Sequence, residues 1–294
     1  MPRLRLQKRR FGPFPDKKIN NTTTPTRLMN YCWQDWKALW HARTLVWTMT
    51  RRELASRYAG SAAGVMWAYL QPLLTIGAYF LVFDVVFAMR MGENAPTSRV
   101  GTYLVVGSLP WLAFCESLSR GAGSLVDAGG VLQKNALPPV LFVARSVLAG
   151  WVVFVPLMLA LTIAYLPVSG LSWALLAIPL LLLLQGALAL LLAHVLAILA
   201  AAVRDTLQIL GFALSVGIFI SPVLFPLSLF PQAWQWVLFA NPMTALVLGY
   251  QSVLLQGAWP GLVVWAITAG WLLGLAVLLN FLIRRSRDEL VDWL

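Results

Sequence analysis

The chain alternates long apolar blocks with short polar stretches, and the blocks have the length of membrane spans. From Ala62 to Met89 only Asp84 is charged. Its 28 residues, at about 1.5 Å each, exceed the roughly 30 Å hydrocarbon core of a bilayer, so part of this block tilts or projects. After the polar, turn-rich loop Arg90–Arg99 comes a second block, Val100–Leu118. Between Arg145 and Arg204 lie 58 residues without Asp, Glu, Lys or Arg, room for spans at about 141–166 and 172–203 joined at Pro167–Gly170. The 78 uncharged residues Thr206–Ile283 hold a fifth span at about 209–225, a proline-broken middle and a sixth span at about 262–283. Pro226, Pro231 and Pro242 preclude one long helix there. The pieces within Phe230–Gly257 are too short to cross and rich in aromatics and amides. They predict interfacial or re-entrant helices, whose irregular backbone needs protein or a cavity around it. The expected fold class is an all-α integral membrane protein with six transmembrane helices over 62–283.

Ahead of the first span the pattern is that of a helix lying on a surface. Trp36, Trp40, Trp47, Leu54 and Tyr58 are spaced by 4, 7, 7 and 4 residues, which places them within about 40° on a helix. Arg43, Arg51, Arg52 and Arg57 stand beside this stripe. An amphipathic helix over 35–61 is expected in contact with membrane lipids, its rings at headgroup depth and its arginines snorkelling toward phosphate. A helix packed on a soluble domain is the other reading, and no such domain is legible. Residues 1–34 read as a basic disordered tail, without the apolar core of a cleavable signal peptide in the first thirty.

Composition agrees with the pattern. At 60% hydrophobic and 11% charged residues the chain is too apolar for a soluble domain, which needs about a quarter charged residues. The net charge of +11 is spread as membrane topology demands, so no nucleic acid is expected. Of 22 Lys and Arg residues, 13 lie at or before Arg57. With six spans both termini share a side, and that side, with the tail 284–294, collects 20 of the 22. Only Arg90 and Arg99 lie opposite, so the positive-inside rule puts both termini in the cytosol.

Candidate chemistry is sparse. The chain has no GxxxxGK[ST] and none of its five lysines follows a glycine-rich turn, so an ATPase would have to be a separate polypeptide. There is no HExxH, DDxxD or Ser/His/Asp set, hence no expected catalytic residue and no expected metal ligand. Cys32 and Cys115 are distant and read as unpaired thiols. The ionisable residues within spans are Asp84, Glu116, Arg145 and His194. Asp84 lies about 12 Å from the centre of its block, either a solvated or loop-paired carboxylate or a pore-lining one. Glu116 and Arg120 form an i, i+4 pair, and His194 reads as an interhelical hydrogen-bonding residue, with a proton carrier as the alternative. Phe80, Phe83 and Phe87 share a face of the first span, where rings either stack on sugars or pack against lipid and helices.

Five sequence words then occur in order: SRYAGSAAGVMWAYLQP at Ser56–Pro72, KNALP at Lys134–Pro138, Arg204-Asp205, SPV at Ser221–Val223 and NPMT at Asn241–Thr244. Together they resemble the ABC-2 permeases that export polysaccharides, those of O-antigen foremost, with capsule and teichoic-acid permeases as siblings. The resemblance covers roughly 35–285; the long basic N-terminal tail and the Ala136-Leu137 pair before Pro138 depart from it. It implies a homodimer in a bacterial inner membrane, bound to two cytosolic ATPase subunits and moving a lipid-linked polysaccharide. ATP and Mg would be held by the ATPase, leaving this chain a non-catalytic subunit without cofactor.

The resemblance also assigns roles. Arg51, Arg52 and Glu53, with a short coupling helix over Ser124–Gln133 that includes Leu125, Val126 and Asp127 and is followed by Lys134, would face the ATPase. Trp67, Tyr69, Tyr79, Phe83, Phe87, Tyr103 and Trp111 would line the substrate channel. Pro222, Trp234, Trp236, Asn241 and Pro242 would belong to the re-entrant gate at the outer end. The alternatives are an ABC-2 exporter of small hydrophobic molecules and an ion-driven transporter, with a membrane-embedded transferase further behind.

Overall fold

The computed structural model describes residues 30–92, 96–135, 137–286 and 289–294; residues 1–29, most of the basic tail, lie outside the described residues. The interface segment is two helices instead of one: α1, Asn30–His41, and α2, Arg43–Arg57, separated by Ala42 alone. Trp33, Trp36, Trp40 and Trp47 are all at least half exposed, whereas Val46 is buried in a small cluster with Val140, Leu141 and Ala144. Leu54 and Tyr58, expected on the same stripe, pack instead against the main core. Lys37 lies over the Trp33 ring and Arg43 over the Trp40 ring, leaving a row of rings and cations on the outward side.

The bundle begins with α3, Met66–Phe80, which continues as a π-helical turn over Leu81–Val86. Next come α4 (Val100–Asp127), the single turn α5 (Gly129–Leu132), α6 (Val140–Ala164) and a turn, α7 (Leu166–Ser169). A 3-10 turn leads into α8 (Ala177–Ala202), then α9 (Thr206–Gly217), α10 (Gln235–Phe239), α11 (Thr244–Gln256), α12 (Leu262–Ser286) and α13 (Leu290–Trp293). Among the described residues four helices are long and apolar enough to cross a membrane, Met66–Val86, Val140–Ala164, Trp173–Ala202 and Leu262–Ser286. A fifth is counted if Gln232–Phe239 and Thr244–Gln256, bent by 104° across a short break, form one span. The protein is thus an all-helical, multi-pass membrane protein.

α4 is the central post. Its 28 residues reach about 42 Å, and it packs against α3, α6, α8 and α11. Its polarity is affordable because other helices, not lipid, cover most of it. A Cβ on Gly121 would lie 2.6 Å from the Cβ of Ala193, so this glycine lets α4 and α8 meet backbone to backbone.

Two expected boundaries are corrected here. The second apolar block, expected to end at Leu118, is one helix through Asp127, so Ser124–Gln133 is not a separate coupling helix. Its first four residues are the last turn of α4, and only Gly129–Leu132 forms its own turn. The buried stripe Leu118, Ala122, Leu125 simply continues, and packing overrides the helix-breaking tendency of Gly121 and Gly123. The fifth block, expected over 209–225, is helical only to Gly217, after which the chain turns through Ile218–Phe225.

Candidate functional site

Two polar constructions occupy opposite ends of the bundle. The first is centred on Glu53. Its Oε1 lies 2.5 Å from Arg57 and its Oε2 lies 3.2 Å from Arg145 Nε, while the hydroxyl of Ser146 donates to Oε2 at 3.0 Å. Arg57 reaches on to Glu116 at 3.4 Å, and Glu116 also pairs with Arg120. Glu53 and Arg57 expose only 17% and 10% of their side chains, so this is a shielded network. It joins α2 to α4 and α6.

Beside the network is a cavity of about 220 Å³ between α2, α3, α4 and α6. Arg57, Tyr58, Gln71, Glu116, Ser119 and Arg120 form its polar wall; Leu54, Ala68, Pro72, Leu112, Val153 and Phe154 form its apolar wall. Such a two-faced hollow accommodates a group that is part charged and part hydrocarbon.

The second construction holds the break after α9. The Tyr103 hydroxyl lies 2.6 Å from the carbonyl oxygen of Pro222 and 3.0 Å from that of Phe225. Gln251 Nε2 donates to the same Pro222 oxygen at 2.7 Å. Asn241 Nδ2 donates to the carbonyls of Gly217 and Ile220 at 3.1 and 3.2 Å. Carbonyls released where a helix stops inside a bundle must find donors, and three side chains supply them. About two turns further along α4, Tyr250 donates to Gln185 Oε1 at 2.8 Å, and Gln185 Nε2 donates to the Pro110 carbonyl at 2.9 Å.

Asp84 resolves as a cap. Its Oδ1 accepts the Gly101 N–H at 2.7 Å and its Oδ2 accepts the Thr102 hydroxyl at 3.0 Å, satisfying donors at the start of α4. Asp84→Ala therefore lowers stability by about 1 kcal/mol and leaves transport in place. Thermal unfolding beside an export assay checks this; transport lost at unchanged stability would restore a pore-lining role.

Asp35 of α1 lies 3.8 Å from Nδ1 of His194 in α8, and its Oδ2 is buried without a hydrogen bond. Burial pushes its carboxyl from an ordinary 3.8 up to about 7. A carboxyl whose pKa is raised by folding stabilises the fold below its unfolded value, and that contribution fades as pH rises through about 7. Asp35→Asn is expected to remove this dependence. The unfolding midpoint of the parent drops more than that of the variant between roughly pH 5 and pH 8; parallel profiles would refute the assignment.

The residues expected to face an ATPase are placed unequally. Arg51, Arg52, Asp127, Gln133 and Lys134 are exposed and Val126 is half-buried, but Glu53 turns into its network and Ser124 and Leu125 are buried. Of the expected channel residues, Trp67 and Phe87 are exposed and Tyr69, Tyr79 and Phe83 are half-buried on the first span. Tyr103 and Trp111 are buried, Tyr103 as a clamp and Trp111 in a tilted pair with Phe114; neither lines an open surface within this chain. Of the gate residues, Pro222 is buried at the break, Asn241 and Pro242 are half-buried at the 104° bend, and Trp234 and Trp236 are exposed. Sequence reasoning missed Gln185, Gln251 and Ser146, and it named Arg145 as an ionisable residue without its partner Glu53. For the glutamines the signal was there, a lone amide inside an apolar run.

Membrane-length helices around a central post, with an ion-pair network at one end and a clamped break at the other, define a multi-pass membrane protein. The profile of the family described as ABC-2 type transporter matches residues 44–255, and the chain belongs to that family. It is 32% identical over 229 residues, 76% of this chain and 85% of the relative, to an O-antigen export system permease protein RfbA of Myxococcus xanthus. A protein of the same name from Klebsiella pneumoniae is 21% identical over 72% of this chain and 81% of its own. The polysialic acid transport protein KpsM of Escherichia coli is 24% identical over 81% of this chain and 91% of its own.

Proposed function

We propose that this chain is the membrane-spanning permease subunit of an ATP-driven exporter that moves a lipid-linked polysaccharide, O-antigen-like in kind, across the bacterial inner membrane. The observation that carries it is the family match over 44–255, joined to relatives named for O-antigen export and for polysialic acid transport. In this reading ATP and Mg are held by a separate cytosolic ATPase, present in two copies, and this chain binds no cofactor.

α4 serves as the second of six spans, and α9 with the turn after it as the fifth, leaving α10 and α11 as a re-entrant pair at the outer end. Both termini are cytosolic, which places the Glu53 network and its cavity at the inner headgroup level. A homodimer is supported by the first span, of whose most apolar stretch only 6% is buried within one chain. Exposed Arg51, Arg52, Asp127, Gln133 and Lys134, with Val126, form the ATPase-facing surface. Trp67, Tyr69, Tyr79, Phe83 and Phe87 form the wall offered to the polymer.

A strain lacking this chain is expected to accumulate finished polymer inside the cell and to display none, with restoration by the intact gene. Normal display, together with sensitivity to small hydrophobic compounds, would overturn the polysaccharide reading in favour of a small-molecule exporter.

A further inference from the structure

The last described residues fold back onto the loop between α4 and α6. Leu290 is buried in the same apolar core as Ala128 and Leu132, and Trp293 and Leu294 pack half-buried against it. α13 itself contacts α8. A Cβ built on Gly129 would lie 2.9 Å from the Leu294 carbonyl oxygen and 3.3 Å from the Leu294 Cβ, whereas one on the adjacent Gly130 meets nothing within 4 Å. Of two neighbouring glycines, only the one beneath Leu294 is obliged to lack a side chain. Neither partner is stable alone, since α5 and α13 are each a single turn of four residues, far below the length at which a helix persists unaided. Each is placed by what it packs on.

We infer that residues 289–294 are a strut that positions the loop at 126–134, giving it a second mechanical connection into the bundle through α8. The inference rests on the proposed docking of an ATPase at that loop. Without the strut, motion imposed on the loop reaches the spans along the chain, through α4 and α6, and through the buried Ala128 and Leu132. With it, the loop cannot tilt without moving α13 against α8. Leu290, Trp293 and Leu294 are positioning residues and touch no substrate.

The test uses the chain assembled with its ATPase subunit. Leu290→Asp puts a carboxylate into the apolar contact; the complex is expected to assemble and hydrolyse ATP, while surface polysaccharide of the host strain falls roughly tenfold. Gly129→Ala, whose methyl would meet the Leu294 carbonyl oxygen at 2.9 Å, is expected to displace the strut and lower export in the same way, whereas Leu290→Met, which keeps the contact apolar, restores it. Normal export by either Leu290→Asp or Gly129→Ala, or an equal loss in Leu290→Met, would overturn the strut. Val131→Asp and Lys134→Glu, on exposed positions of the loop, test the docking itself. If both variants assemble and export normally, the docking reading fails and takes the strut with it; if they impair assembly while Leu290→Asp exports normally, the strut fails and docking stands.

Discussion

Glu53→Gln lowers the stability of the folded chain by about 3 kcal/mol, the low end for removing one partner of a buried ion pair. The reason is geometric. Glu53 is the one carboxylate shared by Arg57, Arg145 and Ser146, and Arg57 keeps only 10% of its side chain exposed. The neutral amide leaves Arg57 with Glu116 at 3.4 Å and takes from Arg145 its ion pair among the described residues. In detergent the unfolding midpoint is expected to fall by roughly 6 to 12 °C. Glu116→Gln is the contrast. Its carboxylate is 34% exposed and its partner Arg120 41%, so solvent screens the loss to about 1 kcal/mol or less. Equal midpoints for the two variants would show that the network is not centred on Glu53.

Tyr103→Phe with Gln251→Leu costs more than the two single changes added together. Either residue alone still leaves the Pro222 carbonyl one donor, so each single variant loses about 1 to 2 kcal/mol. The double variant leaves the Pro222 and Phe225 carbonyls without these donors, and the excess is a coupling energy of about 1 kcal/mol or more. A double-mutant cycle on unfolding midpoints measures it, and amide exchange localises it to 218–226. Strict additivity with unchanged exchange there would mean that the break is held by packing alone.

Much of the helical layout was legible because a bilayer reads average composition. The uncharged runs after Arg145 and Arg204 contain α8 and most of α6 and α12, whose ends fall within a few residues of the expected blocks. Poly-leucine stretches such as that in α8 permit no other structure in lipid. The interface segment was legible as a stripe of rings, but not its interruption at Ala42. The candidate site was less legible. Arg51, Arg52 and Lys134 proved exposed, whereas Tyr103, Trp111, Ser124 and Leu125 proved buried, because periodicity places a residue on a face without saying what that face meets.

By itself the sequence determined that this protein is helical, membrane-embedded, rich in positive charge near one set of span ends, and lacking an ATP-binding motif of its own. Each of these depends on residue type and spacing along the chain, which need no neighbour to act. Only the tertiary structure decided that α9 stops at Gly217 while the apolar run continues, since Asn241, Tyr103 and Gln251 replace the lost helix bonds from distant positions. Only it decided that α4 runs through two glycines to Asp127, since Ala193 comes close enough to require Gly121. Whether a helix may break or must persist was settled by which side chains stood ready to satisfy its backbone.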